Sequence, residues 1–215
     1  MSDLIVRETL GELVAEQLRR SIWNREIEFG ERLIESELSE KFDVSRNTIR
    51  DALKILEHEE MIIIKPRKGT YVSQFSKQDW QEIIELRSIV ESFAFVRALP
   101  SLDEMHFTHL RNILDRMEGI TESGNWNDLF DLDMAFHSYV VKLSGNSRII
   151  KLYDSIQVQI RTFLLYLDKY YSNRQSFYEE QKDLFDALLT KDPEVVDKKI
   201  RTHIEYVEGQ FIGEI

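Results

Sequence analysis

The chain has 215 residues, enough to bury a core and to form two small domains, with no cysteine and a formal net charge of −11. Lack of thiols excludes a disulfide framework and thiolate metal sites, residues 1–7 lack the apolar core of a signal peptide, and no apolar run would cross a bilayer. A cytoplasmic protein with no membrane partner is expected, and the acidity leaves room for one locally basic domain fused to an acidic one.

The first predicted element is a helix over residues 7–24 that turns Leu10, Leu13, Val14, Leu18 and Ile22 toward a core. Next, Leu38 and Phe42 sit four apart on one face of a short helix, Asp43-Val44 make a turn, and Ser45 caps a second helix. Along that second helix Ile49, Ala52, Leu53 and Leu56 recur at helical spacing, while Arg46, Asn47 and Arg50 fall near its exposed start. Two β-prone runs follow, residues 61–64 and 70–73. They are joined by Lys65-Pro66-Arg67-Lys68-Gly69, a tip in which Gly69 can take a positive φ and three cations project. Helix, turn, capped basic helix and basic hairpin in this order are the parts of a winged helix-turn-helix. The recognition helix would reach base edges with its N-terminal residues, and Arg67 and Lys68 would reach phosphate or the minor groove.

A domain boundary is expected at residues 74–76, where Ser76 caps a helix with Asp79 three positions on and Phe75 and Trp80 form a hydrophobic staple. From there the pattern is helix after helix: 77–99, 102–119 (Ser101 cap with Glu104), 126–144, 147–171, 174–190 and 193–212. Several of these carry polar residues inside an apolar stripe. Arg87, with Glu91 one turn on, interrupts Trp80, Ile83, Ile84, Val90 and Ala94; Asp133 and His137 interrupt Leu129, Phe130, Phe136, Val140 and Leu143. Gln181 lies among Phe177, Leu184, Phe185 and Leu188, and His203 among Val196, Ile200, Ile204, Val207 and Phe211. Such residues cost stability if buried unpaired, so their repetition predicts a shared polar cavity.

The i, i+4 spacing of Asp133 and His137 suits two metal ligands and equally an ordinary Asp–His hydrogen bond. His203 alone reads as a core histidine, and His106 and His109 as surface residues. Arg87 can bind a carboxylate bidentately or be an ion pair with Glu91 or Asp133. Arg161, on the fourth of the later helices, is a further cation for a ligand.

Ser45-Arg46-Asn47-Thr48-Ile49-Arg50-Asp51-Ala52-Leu53, followed by Leu56-Glu57 and a Lys68-Gly69 wing, resembles the GntR family of bacterial transcription regulators. The resemblance implies that Arg46 and Arg50 are the two DNA-contacting arginines and Gly69 the wing glycine. Asn47 and Thr48 stand in place of the usual Thr-Pro at the DNA face, and Ser36 stands where many relatives carry an arginine. The remainder is similar to the all-helical ligand-binding domain of the FadR subfamily, through Glu85-Leu86-Arg87, Asp133 to His137, Ser144-Gly145-Asn146 and His203. Family members with a full Asp-His-His-His set bind a divalent metal that helps hold a small carboxylate effector. Here Asp133, His137 and His203 match three ligands and Gln181 stands where the family has the remaining histidine.

The expected protein is mostly α, with a DNA-binding domain over 1–75 carrying a small β-wing and a helical effector-binding and dimerisation domain over 76–215. Its expected activity is non-enzymatic: a repressor acting as a homodimer on a palindromic double-stranded operator. The effector residues implied are Arg87, Asn146, Arg161 and Gln181, and the cofactor a divalent metal such as zinc, nickel or manganese. The alternatives are a metal-dependent hydrolase built on Asp133, His137 and His203, and an architectural DNA binder without effector.

Overall fold

The computed structural model describes residues 8–122, 124–167 and 173–212, excluding the side chains of 166–167 and 206–212. The predicted helical residues Arg7 and 168–171, and the side chains of Val207 and Phe211, lie outside the described residues. Two compact units divide the chain, residues 1–74 and 75–215.

In the first unit Thr9 and Glu12 close a capping box at the start of α1 (Leu10–Trp23), satisfying amide donors that the first helical turn leaves without partners. Val14, Leu18 and Ile22 are buried, and α1 packs on α3 (Arg46–His58). A Cβ on Gly11 would meet the Asp51 Cβ at 3.3 Å, so the two helices approach closely there. The contact line therefore runs along Gly11, Ala15 and Leu18. Leu10 and Leu13, expected in the core, flank that line and remain half exposed. α2 (Glu35–Phe42) ends at Asp43, whose left-handed φ of 50° makes the turn, and Ser45 caps α3 by accepting from the Thr48 amide.

The wing consists of β2 (Ile62–Lys65) and β3 (Gly69–Val72), one residue displaced from the predicted runs. Met61 is still tied to the helix exit by the hydrogen bond its amide donates to the Leu56 carbonyl, so the strand starts after it. Lys65 pairs with Gly69 across the tip. Sequence reading missed β1 (Arg32–Leu33), which pairs with β3 to give the order β1-β3-β2. Two residues are too few to display alternation, so no periodic signal marks it.

In the second unit Ser76 and Asp79 form a capping box on α4 (Lys77–Ala98), and the Phe75 and Trp80 ring centroids lie 4.5 Å apart, as a staple requires. Leu99–Ser101 continues as a 3-10 turn around Pro100 instead of capping the next helix. Asp103, not Ser101, caps α5 (Glu104–Gly119). Then follow α6 (Trp126–Leu143), α7 (Ser147–Leu167), α8 (Arg174–Thr190) and α9 (Pro193–Ile212). α4 packs on α6, α7 and α9, and α8 on α5 and α9. Trp80, Phe95, Phe130, Phe136, Tyr153 and Phe163 fill this unit's core. His106 is half-buried, against expectation, because its Nδ1 lies 2.7 Å from the Tyr139 hydroxyl; His109 is exposed as expected.

Candidate functional site

Chemistry-bearing residues gather in two places, one in each unit. In the first, the start of α3 presents Arg46, Asn47 and Arg50 to solvent, with Thr48 half-buried behind them and its hydroxyl 2.9 Å from that of Ser45. Apolar residues of α3 face inward at helical spacing, so its opposite face is free for base edges. Arg50 Nε donates to Glu35 of α2 at 2.9 Å, an exposed pair that any phosphate or base contact through Arg50 must replace. At the wing tip Lys65, Arg67 and Lys68 are all exposed. Arg67 adopts a φ of 63° in the turn closed by the Lys68 amide on the Lys65 carbonyl. Gly69 has a φ of 116°, and a Cβ there would come 3.0 Å from the Arg32 Nε. The backbone thus favours glycine, and a side chain here would also have to displace the Arg32 guanidinium.

In the second unit the interrupted stripes converge. Arg87 and Glu91 from α4, Asp133 and His137 from α6, Gln181 from α8 and His203 from α9 are all buried in one polar cluster. Glu91 is its hinge. One carboxylate oxygen accepts from Arg87 Nε at 2.7 Å and the other lies 2.5 Å from His137 Nδ1. His137 Nε2 faces Asp133 Oδ1 at 3.6 Å and Gln181 Oε1 at 3.3 Å, while the Arg87 guanidinium stands 4.0 Å from Asp133 Oδ2. The His137 and His203 rings stack with centroids 5.2 Å apart. Glu91 was foreseen as a partner of Arg87, but its bond to His137 was not. A residue 46 positions away leaves no trace in helical spacing.

Electrostatics follow from this packing. Burial opposes charge on every member, yet the opposite charges outweigh it: Glu91 and Asp133 stay below the usual carboxyl range, and Arg87 is held firmly cationic by Glu91 and Asp133. Burial lowers the His137 pKa, but Glu91 and Asp133 win and raise it to about 9. His203 has burial and the His137 cation against it and falls to about 3. Two cations thus balance two anions, with a neutral imidazole beside them.

Asp133, His137 and His203 offer ligand atoms within 4.8 Å of one another. The donor set suits a divalent ion. Asp133 Oδ2 and His203 Nδ1 are buried without a hydrogen-bond partner, an arrangement costing about 1–3 kcal/mol for each such group that a bound cation would offset. Glu91 on His137 Nδ1 would fix the tautomer that leaves Nε2 for a metal, as carboxylates behind metal-bound histidines do. Gln181 Nε2 and the hydroxyl of Tyr153 are likewise buried without a hydrogen-bond partner. Tyr153 was missed in the sequence, being an unremarkable aromatic on an apolar helix. Its hydroxyl feels Glu91, Arg87 and Asp133, and burial with Glu91 nearby drives its pKa well above the usual 10.0.

Two proposed ligand residues take other partners. The Asn146 side-chain oxygen accepts from the amides of Arg148 and Ile149, serving the start of α7. Arg161 donates to Asp131 and to Asn127, and its guanidinium lies 5.3 Å from the Phe130 ring centroid.

Residues 10–72 match the model for bacterial regulatory proteins of the gntR family, and residues 82–206 match the FCD domain. The gluconate operon transcriptional repressor of Bacillus licheniformis is 29% identical over 210 residues, 95% of this chain and 86% of the relative. The transcriptional repressor RspR of Escherichia coli K12 is 24% identical over 190 residues, 88% and 83% of the two chains. Among solved structures, E. coli McbR/YncC shares the fold with a TM-score of 0.77 at 21% identity, over 95% of this chain and 100% of that one. Among the described residues no helix is long and apolar enough to cross a membrane. Neither the hydrolase nor the architectural alternative gains support from these relatives, which are regulators and not enzymes. A capped basic helix with its wing, joined in one chain to an all-helical FCD domain, identifies the protein as a member of the GntR family of bacterial transcription regulators.

Proposed function

We propose that the chain is a cytoplasmic repressor that binds a palindromic operator as a homodimer and is released by a small carboxylate effector. The observation that carries this reading is the presence of two separate sites in one chain: exposed Arg46, Asn47 and Arg50 on a capped helix, and a buried charged cluster in the helical unit. In this reading Thr48 and Gly69 shape the DNA face, Arg67 and Lys68 hold phosphate, and residues 1–75 act as the reading head. Residues 76–215 hold effector and partner subunit. Both named relatives are repressors, and gluconate, the subject of one, is itself a carboxylate.

Asp133, His137 and His203 would hold a divalent metal, and Arg87, Gln181 and Tyr153 would supply donors to the effector. Bound there, a metal would supply a Lewis-acid anchor for an anionic oxygen. Asn146 would support this site by fixing the start of α7, and Arg161 by bracing α7 against α6.

Self-pairing finds a surface on α4. Ile89 and Phe93, one helical turn apart, are 63% and 49% exposed, beside a groove of about 830 Å³ shared with α9. Its rim carries Arg97 and Arg201 together with Glu194 and Asp197. Arg201 is paired with Asp197 and Arg97 donates to the Ser144 carbonyl within the chain, so the exposed apolar pair Ile89 and Phe93 is what suits this surface to a second copy across a two-fold axis.

Selection of bound duplexes from a random DNA pool tests the reading. It should enrich an inverted repeat, and Arg46→Ala or Arg50→Ala should each weaken that binding by about 1–3 kcal/mol without loss of fold. Enrichment of no symmetric site, or variants that bind like wild type, would refute it.

A further inference from the structure

Gln181, like His203, belongs to the buried cluster without carrying a charge or entering an ion pair. It is fully buried, its Oε1 lies 3.3 Å from His137 Nε2, and its Nε2 has no hydrogen-bond partner. The amide oxygen, and not the nitrogen, is the atom turned toward the His137 ring.

That orientation has the geometry of two ligands on one ion. Two donor atoms bound about 2.1 Å from one metal ion lie about 3.0 Å apart at an octahedral right angle and about 3.4 Å apart at a tetrahedral one. Gln181 Oε1 and His137 Nε2, at 3.3 Å, already have that separation, and Asp133 Oδ1 is 3.6 Å from the same nitrogen. With a metal on Nε2, the amide oxygen would need no rotation to join it. Its nitrogen would then face outward from the ion as a buried donor.

Resting on the metal site assigned above to Asp133, His137 and His203, we propose that Gln181 is a fourth ligand through its amide oxygen, and that it tilts the site toward manganese relative to zinc and nickel. Imidazole nitrogen suits zinc and nickel, whereas carboxylate and carbonyl oxygens suit manganese. A set of one carboxylate, one amide oxygen and two imidazoles is harder than one carboxylate and three imidazoles. Zinc remains the tighter ion in absolute terms, as the ordering of divalent metals requires, but the gap narrows.

The test uses full-length protein stripped with chelator and titrated with manganese, zinc and nickel, comparing wild type with Gln181→His, Gln181→Glu and Gln181→Met. Gln181→His should widen the zinc-over-manganese affinity ratio by about tenfold or more, and Gln181→Met should weaken manganese by a similar factor. Gln181→Glu keeps an oxygen donor and should leave the zinc-over-manganese ratio narrow, as in wild type, which guards against misfolding of the other two. X-ray absorption of the zinc forms should count two imidazoles in wild type and three in Gln181→His. A wild type that binds no metal would remove the metal reading itself and this inference with it. A wild type that binds metal, with the affinity ratio and the imidazole count unmoved by these substitutions, would overturn the inference alone.

Discussion

At the scale of single residues, the cluster's two histidines respond to pH in opposite directions. In the metal-free protein His137 has a folded pKa of about 9 against 6.5 for the free side chain. Its stabilising contribution is complete below about pH 6.5 and is lost as pH rises through 9, because the native state prefers the proton. His203 is lowered to about 3, so its contribution is complete above about 6.5 and is lost as pH falls toward 3. Chelator-treated protein should therefore melt at its highest temperature near pH 6–7 and become less stable on both sides. His137→Gln should abolish the loss on the alkaline side while retaining that on the acid side, and a thermal-melt series in which the alkaline limb is unchanged would reject the assignment. Most of the cluster was legible from residues that break an apolar stripe. What could not be read was which of them touch, since the Glu91–His137 bond joins two helices, and which way Gln181 faces.

At the scale of elements, local chemistry fixed what could be foreseen. Capping residues at Ser45 and Ser76, the Phe75–Trp80 staple and the periodic stripes located the start of α3 and both ends of α4 and α6 to within a residue or so. The Ser101 cap failed because Pro100 continues a tighter turn and Asp103 offers the better acceptor two residues later. β1 left no periodic mark because its place is set by pairing with β3, a contact between distant residues. That pairing makes the wing sensitive at one position. Gly69→Ala places a side chain at a φ of 116° and against the Arg32 Nε, straining the tip by about 1–3 kcal/mol. Its effect should fall on DNA affinity, with the helical unit's melting unchanged. Fluorescence anisotropy on the selected operator would show this as weaker binding, and equal affinity would mean that the wing tip takes no part.

At the scale of the whole molecule, acidity and DNA binding coexist because charge is distributed locally and not by domain: residues 1–74 hold 12 Lys and Arg against 15 Asp and Glu, so the first unit is itself net acidic, and only the start of α3 and the wing tip gather exposed cations. Assembly is the property that sequence patterning left least visible, since Ile89 and Phe93 fall outside the core stripe and look like scattered surface residues until α4 is seen with both exposed. Replacing both by glutamate should convert a dimer into monomers in sedimentation velocity at micromolar concentration, with far-ultraviolet dichroism preserved; a variant that still sediments as a dimer would move the interface elsewhere. α4 also alternates its duties along one short stretch: Arg87 and Glu91 point to the buried cluster, Ile89 and Phe93 to solvent. A rotation or shift of this helix cannot alter one set without displacing the other. Linkage then imposes a reciprocity: if occupancy of the cluster changes the free energy of self-association, dilution must change the apparent ligand dissociation constant by the same factor. The concentration of the regulator in the cell would thereby become one of the variables that sets its own sensitivity.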